Sequence, residues 1–319
     1  MTKSKHAPSS LSGTALKRRV PALPAIIIGF AFAVALAIPA GNAAPQQAPY
    51  IHLNPVVEKL AQGKAFIGTQ TSDYSMANCR SLSRLNMDYV YLDMEHGVFD
   101  LKDMAECAAF MVDKAEAIKR GNAAVKVALF ARFAPYGRDM DGSEWVAKQA
   151  LDQGLMGVIF NGTDNAAQAR HEVELMRYPQ RRDSKYKEPV GRRGEGNANA
   201  AYVWGVSGAE YERHADLWPL NPEGDLLCIP MIETLEGLKN VDEIAATPGV
   251  GAIFVGAGGD LHQQLGVAPG APEVEAAFQK ILASCKAHNV ACGITAISKD
   301  DVEKRLGQGW KMIRTGRGE

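Results

Sequence analysis

Residues 89–96 read Tyr89-Val-Tyr-Leu-Asp-Met-Glu-His96, a short apolar run that ends in polar side chains. Short apolar runs of this kind are typical of strands buried on both faces of a sheet. Longer segments of helical period separate one run from the next, which favours a parallel sheet covered by helices. The apolar runs are Ala65–Gly68, Tyr89–Leu92, Val125–Phe130, Gly157–Phe160, Leu226–Ile229, Ala252–Val255, Val290–Ile294 and Lys311–Arg314.

The number of runs predicts the architecture. Eight of them between residues 65 and 314 favour a closed (β/α)8 TIM barrel in a single domain, and an open doubly wound sheet is the alternative. The predicted helices are Asp100–Arg120, Ser143–Gln153, Ala166–Arg177, Leu235–Ala246, Pro272–His288 and Lys299–Gly307.

Charge is unevenly distributed along the chain. The 319 residues carry 35 Lys and Arg against 36 Asp and Glu, a net charge of −1. Residues 1–44 hold five of the basic residues and no acid, which leaves 30 basic against 36 acidic residues in the rest. A body this acidic predicts no binding to nucleic acid, because phosphates require a basic face.

The beginning of the chain has the pattern of a secretory signal peptide. A basic stretch ends at Arg19, fourteen apolar residues follow at Ala25–Ile38, and small residues lead to Ala43, after which we expect cleavage. An uncleaved membrane anchor is the alternative. We therefore predict a signal peptide at 1–43, a linker with a lead-in helix at 44–60 and the barrel at 61–319, in a periplasmic or secreted protein.

Export makes the cysteines informative, because disulfides persist in oxidising compartments. The five cysteines show no CxxC motif, so we expect no disulfide framework and leave open one pair, Cys79 with Cys107. Cys228 and Cys292 lie in apolar runs and are interpreted as buried thiols.

The longest segment without clear period is Arg181–Gly224, which is rich in basic residues, Gly, Asn and Pro. It is interpreted as a solvated insertion, with a lid over the active face of the barrel as the alternative.

Polar side chains follow four of the apolar runs at the point where each run ends. In a parallel barrel the carboxyl ends of all strands meet at one face, so we expect these side chains to converge. They are Asp93, Glu95 and His96 after the second run, Arg132 after the third, Glu233 after the fifth and Asp260 after the sixth.

This combination of residue types favours chemistry next to a carbonyl. Two carboxylates with water can hold Mg²⁺ or Mn²⁺, and an arginine beside them can stabilise an enolate oxygen. A histidine supported by an aspartate three positions earlier can serve as a general base. Each residue also has an ordinary structural interpretation, as a helix cap, a surface ion pair or a loop hydrogen bond.

Several motifs resemble the HpcH/HpaI aldolase family over about residues 56 to 315. They are Tyr91-Leu-Asp-Met-Glu-His-Gly97, Arg177-Tyr-Pro179, Met231-Ile-Glu-Thr-Leu-Glu-Gly237 and Pro248-Gly-Val-Gly-Ala-Ile-Phe-Val-Gly256 leading to Asp260. The resemblance implies a class II pyruvate aldolase of the phosphoenolpyruvate/pyruvate barrel superfamily. Such an enzyme uses Mg²⁺, Mn²⁺ or Co²⁺ to cleave 4-hydroxy-2-oxo acids to pyruvate and an aldehyde, or to catalyse the reverse addition.

The resemblance also implies residue roles, a small 2-oxo acid substrate and a homo-oligomer. By it, His96 is the general base with Asp93 as its partner, and Arg132 stabilises the enolate. Glu233 and Asp260 are the metal ligands. The residues near the substrate and a metal-bound water are Glu95, Gly258 and Gly259.

This chain departs from the family at several places, and two of them bear on the site and on closure of the barrel. The family loop before the second metal ligand reads Gly-Pro-Ala-Asp, whereas Gly256-Ala-Gly-Gly-Asp260 is one residue longer and lacks the proline. The sequence also ends soon after the eighth run, so the predicted barrel lacks its final helix. The alternatives are a citrate-lyase-β-like enzyme acting on an acyl thioester, and a non-catalytic exported barrel that binds a small carboxylate.

Overall fold

The strands lie where the apolar runs predict them. The computed structural model describes residues 50–133 and 139–316, so the predicted signal peptide lies outside the described residues. The third strand begins at Ala128, three residues later than its apolar run, and ends at Phe133, one residue after Arg132. The strands are β1 (Phe66–Thr71), β2 (Tyr89–Asp93), β3 (Ala128–Phe133), β4 (Gly157–Phe160), β5 (Leu227–Pro230), β6 (Ala252–Phe254), β7 (Ala291–Thr295) and β8 (Met312–Arg314).

These strands form one parallel sheet in the order β5-β4-β3-β2-β1-β8-β7-β6. Bridges between Cys228 and Val250 and between Met231 and Phe254 join β5 to β6, so the barrel is nearly closed. The TIM-barrel prediction is confirmed, and the open-sheet alternative is wrong. All strand carboxyl ends therefore face the same end of the barrel.

Helices lie between the strands. Within the two described ranges, no helix is both long and apolar enough to cross a membrane. The helices are α1 (Pro55–Ala61), α2 (Met76–Leu82), α3 (Leu101–Phe110), α4 (Lys114–Arg120), α5 (Met140–Asp152), α6 (Ala166–Met176), α7 (Ala198–Trp204), α8 (Gly208–His214), α9 (Leu235–Lys239), α10 (Val241–Ala245), α11 (Gly259–Leu265), α12 (Pro272–Ala287) and α13 (Lys299–Gln308).

Two of the predicted helices are each divided by a new cap. Asp113 accepts hydrogen bonds from the backbone N–H groups of Ala115 and Glu116, which ends the segment of α3 and starts α4. Asn240 lies between α9 and α10, and its side chain makes no capping hydrogen bond to α10. Helix α1 lies at the end of the segment for which the sequence predicts a lead-in helix, with Asn54 as its cap.

Asp225 links the segment that precedes α1 to the barrel through hydrogen bonds. Its carboxylate accepts a hydrogen bond from the backbone N–H of Leu53 at 3.1 Å. It also contacts the imidazoles of His52 at 3.0 Å and His214 at 2.7 Å. Burial alone would raise the pKa of Asp225, but the hydrogen bonds from His214, His52 and Leu53 together lower it.

The segment 181–224 is neither an aperiodic loop nor a lid. It contains α7 and α8, and it joins the end of α6 to the start of β5, which places it at the amino end of the strands. Its contacts agree: Trp204 Nε1 donates to the carbonyl of Gly154 at 2.7 Å, and Arg193 Nη2 donates to Asp152 at 2.9 Å. The lid interpretation is wrong, because the segment packs below the barrel, away from the carboxyl ends of the strands.

Two disulfides are present in the described part of the chain. The Cys79–Cys107 pair, which the sequence left open, joins α2 to α3. A second disulfide joins Cys285 of α12 to Cys292 of β7, so the interpretation of Cys292 as a buried thiol is wrong. The sequence does not indicate this pair, because one cysteine lies in a predicted helix and the other in the apolar run that follows it. Cys228 is a free, buried cysteine, as predicted.

Candidate active site

A cavity of about 280 Å³ opens at the carboxyl end of the barrel. Its walls come from every strand except β4 and β5, together with residues that follow β2, β5 and β6. Seven of the eight predicted site residues line the cavity, and Asp93 lies behind its wall. The seven are Glu95, His96, Arg132, Glu233, Gly258, Gly259 and Asp260.

Asp93 and Arg132 form a buried ion pair beneath this cavity. They are register partners at the ends of β2 and β3, so the sheet itself sets their side chains side by side. Arg132 Nε donates to Asp93 Oδ1 at 3.1 Å, and Nη2 donates to Oδ2 at 2.7 Å. The planar guanidinium is therefore held at two points.

His96 takes a different partner from the one that the resemblance implies. Its backbone N–H donates to Asp93 Oδ1 at 3.3 Å, whereas its ring Nε2 lies 3.4 Å from Glu95 Oε2. The side chain is 69% exposed, at the mouth of the cavity. Asp93 is committed to Arg132, so it orients the backbone of His96, and Glu95 is the carboxylate beside the imidazole.

Glu95 stands between the arginine and the histidine. Arg132 Nη1 lies 3.0 Å from Glu95 Oε2, an ion-pair distance. That oxygen is buried and accepts no hydrogen bond of good geometry from any described residue. A buried carboxylate oxygen with spare capacity is a candidate acceptor for a water or a cation.

Glu233 has a carboxyl group whose pKa lies well above its ordinary value. Burial raises the pKa of its carboxyl group to about 7, and the negative charges of Glu95 and Asp260 add to the effect. The guanidinium of Arg132 and a hydrogen bond from the N–H of Gly162, at 3.1 Å, oppose it. Asp260 is exposed in the first turn of α11, so the longer Gly-Gly loop leaves it facing the same cavity.

The Gly-Gly loop brings the backbone close to the cavity. Gly258 has φ +71°, and a Cβ there would come within 2.6 Å of the Phe278 ring. A larger residue would therefore clash as well as strain the backbone. Gly259 has no neighbour within 4 Å of such a Cβ, so it faces open space.

The donor set suits a hard cation with only two protein ligands. Among residues 50–133 and 139–316, no group of three or more His, Cys, Asp or Glu side chains is close enough to hold a metal ion. Glu233 and Asp260 nevertheless face one cavity and repel each other, and Glu95 adds a third negative charge nearby. Two carboxylates completed by water and substrate are a common arrangement for Mg²⁺.

Sequence reasoning missed five polar residues in the cavity: Gln70, Tyr91, Gln263, Thr295 and Arg314. Gln70, Thr295 and Arg314 end or nearly end their strands, the same signal that identified the other residues. Arg314 is the last residue of its strand rather than a residue after it, so the pattern of polar residues after strands does not include it.

The fold and site together define a class: a TIM barrel with an acidic cavity and an ion-paired arginine at its carboxyl end. The HpcH/HpaI aldolase/citrate lyase family model matches residues 71–318, and the chain belongs to this family. It is accordingly an enzyme, a carbon–carbon lyase of the class II aldolase type.

Named relatives share most of its length. A hydroxypyruvate/pyruvate aldolase from Pseudomonas aeruginosa is 29% identical over 272 residues, 83% of this chain and 87% of the relative. A 2-dehydro-3,6-dideoxy-6-sulfogluconate aldolase from Pseudomonas putida is 29% identical over 79% of this chain and 86% of the relative. A solved HpcH/HpaI aldolase/citrate lyase family protein from Burkholderia cenocepacia has a TM-score of 0.67 at 26% identity, covering 82% of this chain and 92% of that one.

Proposed function

We propose that the chain catalyses the reversible aldol cleavage of 4-hydroxy-2-oxo acids to pyruvate and an aldehyde, with a divalent metal ion. The observation that carries this proposal is one cavity that joins Glu233 and Asp260 to Arg132 and His96. The names of the two Pseudomonas relatives, both aldolases, favour this reaction over cleavage of a thioester and over a binding function.

Glu233 and Asp260 are the residues that would hold Mg²⁺, Mn²⁺ or Co²⁺. Their mutual repulsion and the raised pKa of Glu233 describe a site with excess negative charge, which a divalent cation would neutralise. When bound, the cation supplies Lewis-acid polarisation of the 2-oxo group.

Arg132 is placed to stabilise negative charge. When the C3–C4 bond breaks, its electron pair moves onto the pyruvyl fragment and the 2-oxo oxygen becomes an enolate oxygen. A guanidinium already held by Asp93 needs no reorganisation to receive that charge, which is the condition for strong electrostatic stabilisation. Its Nη1, on the Glu95 side, is the nitrogen not used by Asp93.

His96 is placed to move the proton. Cleavage requires removal of the proton from the 4-hydroxyl group, and the released enolate must then be protonated at C3. The exposed imidazole at the mouth, with Glu95 at 3.4 Å, can accept the first proton. Glu95 steadies the cationic ring that results.

The direct test is pyruvate release from a panel of 4-hydroxy-2-oxo acids, measured with added Mg²⁺, Mn²⁺ or Co²⁺ and with EDTA. We expect metal-dependent release that falls by at least roughly a hundredfold in Glu233→Gln and in His96→Asn. Arg182→Gln is the matched control, because this exposed side chain belongs to the segment below the barrel. If wild-type protein releases no pyruvate from any substrate with any of the three metals, the proposal fails.

We further propose that the protein is exported, on the basis of the leader pattern. Two disulfides in the described part of the chain support an oxidising compartment. Cell fractionation followed by N-terminal sequencing tests it. A mature N-terminus at Ala44 supports the proposal, and a cytoplasmic protein that begins at Met1 contradicts it.

A further inference from the structure

A second cavity lies at the amino end of the barrel, away from the site described above. Its volume is about 660 Å³, which falls in the range of cavities that hold small molecules, roughly 300–1,000 Å³. It is bounded by the residues that follow α6, by the segment around Arg193 and by the end of α8. None of its lining residues belongs to the cavity at the carboxyl end.

Arg193 is the buried cation of this second cavity, and it is 1% exposed. Its Nε and Nη2 both donate to Asp152 Oδ1, at 3.3 Å and 2.9 Å, and Nη2 also donates to the Tyr211 hydroxyl at 2.8 Å. Its Nη1 is buried and has no hydrogen-bond partner among the described residues. Because Nε and Nη2 form the edge that faces Asp152, Nη1 is directed away from that carboxylate. A buried charged donor of this kind requires an acceptor.

Tyr178 provides a second unsatisfied group beside the first. The guanidinium of Arg193 lies over its ring, 4.4 Å from the ring centroid. The hydroxyl oxygen of Tyr178 is buried and has no hydrogen-bond partner in the described part of the chain. The stacking keeps the phenol next to the guanidinium, so one ligand group can accept hydrogen bonds from both residues.

Other polar groups of the lining already have partners. The Ser184 hydroxyl donates to Gln180 Oε1 at 3.1 Å, and Gln180 Nε2 donates to the carbonyl of Tyr178 at 2.7 Å. Asn221 Nδ2 donates to Asp216 Oδ2 at 3.2 Å. The two buried groups without a partner at this cavity, the guanidinium nitrogen and the phenol, are therefore both able to donate, and a ligand must supply the acceptor.

The charge around Arg193 favours an anion with a single negative charge. Asp152 is the shared partner of Arg193 at 2.9 Å and of Lys148 at 2.6 Å, so one carboxylate faces two cations. A further negative charge would complete this neutralisation. The carboxylates of Glu195 and Glu212 also line the cavity, and they would repel a ligand with two or more negative charges. The remaining carboxylates of the lining each have an arginine partner, Asp183 with Arg181 at 3.5 Å and Asp216 with Arg177 at 2.7 Å.

We propose that this cavity binds a small organic monocarboxylate, whose oxygens accept hydrogen bonds from Arg193 Nη1 and from the Tyr178 hydroxyl. The planar guanidinium and the phenol match the two oxygens of a carboxylate, whereas the second charge of a phosphate is opposed by Glu195 and Glu212. The site lies at the opposite end of the barrel from the proposed aldolase chemistry, so the inference does not depend on that function.

Tyr178→Phe is the decisive variant, because it removes a hydroxyl that has no partner in the protein and should leave the unliganded fold intact. Thermal unfolding of the full chain is followed in EDTA with butyrate or with butyramide, its uncharged amide. We expect the wild-type Tm to rise with butyrate and not with butyramide. In Tyr178→Phe the apparent Kd for butyrate should rise roughly ten- to a hundredfold, the effect of one hydrogen bond to a charged group.

Tyr186→Phe is the matched control, since this tyrosine belongs to the same segment and does not line the cavity. It should respond to butyrate as wild type does. Benzoate and benzamide form a second pair for a larger ligand. An equal rise in Tm with acid and amide, or a butyrate response that Tyr178→Phe leaves unchanged, would overturn the proposal. If neither butyrate nor benzoate raises the wild-type Tm, the proposal also fails.

Hydrogen exchange followed by mass spectrometry locates the bound carboxylate. We expect butyrate to slow exchange in peptides that cover residues 178–195 and 208–216, and not in peptides that cover 91–97 and 231–237. Protection confined to the second pair of peptides would place the ligand in the cavity at the carboxyl end and would refute the site at Arg193. Because these measurements use EDTA and need no turnover, their outcome is independent of whether the aldolase reaction is observed.

Discussion

Arg132 donates hydrogen bonds to both carboxylate oxygens of Asp93, from Nε at 3.1 Å and from Nη2 at 2.7 Å. The two residues are register partners on adjacent strands. Asp93 is 1% exposed and Arg132 6% exposed. The pair therefore acts as one rigid unit, in which the aspartate fixes the plane of the guanidinium. A single contact thus serves both the stability of the barrel and the geometry of the cavity.

Replacing Asp93 by Asn should destabilise the fold, because it removes the carboxylate that holds the buried Arg132 at two points and leaves Glu95 as its remaining counter-charge. Breaking one side of a buried ion pair costs about 3–5 kcal/mol, and urea unfolding measures it. The matched control is Glu174→Gln, which removes one of the two carboxylate partners of the half-exposed Arg170, at 2.9 Å. Surface pairs contribute about 0–1 kcal/mol, so equal losses in the two variants would contradict a special role for Asp93.

Arg132→Lys should impair catalysis although it preserves the charge. A lysine ammonium cannot hold two carboxylate oxygens and still present a nitrogen to the enolate. We expect kcat for pyruvate release to fall roughly 10²–10³-fold, with Arg182→Lys as the control of equal chemistry. Activity within a few-fold of wild type would show that the enolate is stabilised elsewhere.

Metal binding should depend on pH through Glu233. Burial and the charges of Glu95 and Asp260 raise its pKa to about 7, so the carboxyl group is protonated below that pH and must lose its proton to bind a cation. Mn²⁺ affinity, measured by calorimetry, should increase by about tenfold per pH unit up to about 7 and then level off. Identical affinity at pH 6 and pH 8 would contradict this.

Asp225→Asn should destabilise the protein in a pH-dependent manner. The folded-state pKa of Asp225 is lowered, so its contribution is complete above the unfolded pKa and is lost as the pH falls through the folded value. At pH 7 we expect a loss of about 2 kcal/mol, since charged hydrogen bonds contribute about 1.5–3 kcal/mol. The difference from wild type should narrow below about pH 4, and a gap that stays constant from pH 7 to pH 3 would refute the assignment.

Sequence patterns predicted the eight strands because buried parallel strands have a composition that helices and loops rarely share. The position of the 181–224 segment can also be predicted from the sequence. The segment follows a helix and precedes a strand, and in a parallel barrel such a connection lies at the amino end of the strands. Its basic composition, by contrast, is equally compatible with a surface insertion and with a lid.

The partners of individual side chains were harder to predict from the sequence than the strands. Asp93 lies three residues before His96, a spacing that favours a local pair, but the strand register offers it the stronger charge of Arg132. The place of Arg314 in the cavity depends on the pairing of β8 with β1, which brings the last strand beside the first. Neither relationship can be read from distance along the chain.

The two helices below the barrel have an evolutionary consequence. Trp204 and Arg193 attach them to the end of α5, on the face away from the cavity. Insertions, deletions and changes of surface charge can accumulate there while the catalytic groups keep their positions. Substitutions in this segment are therefore expected to change folding and solubility, and substitutions at the other end of the same molecule to change substrate choice.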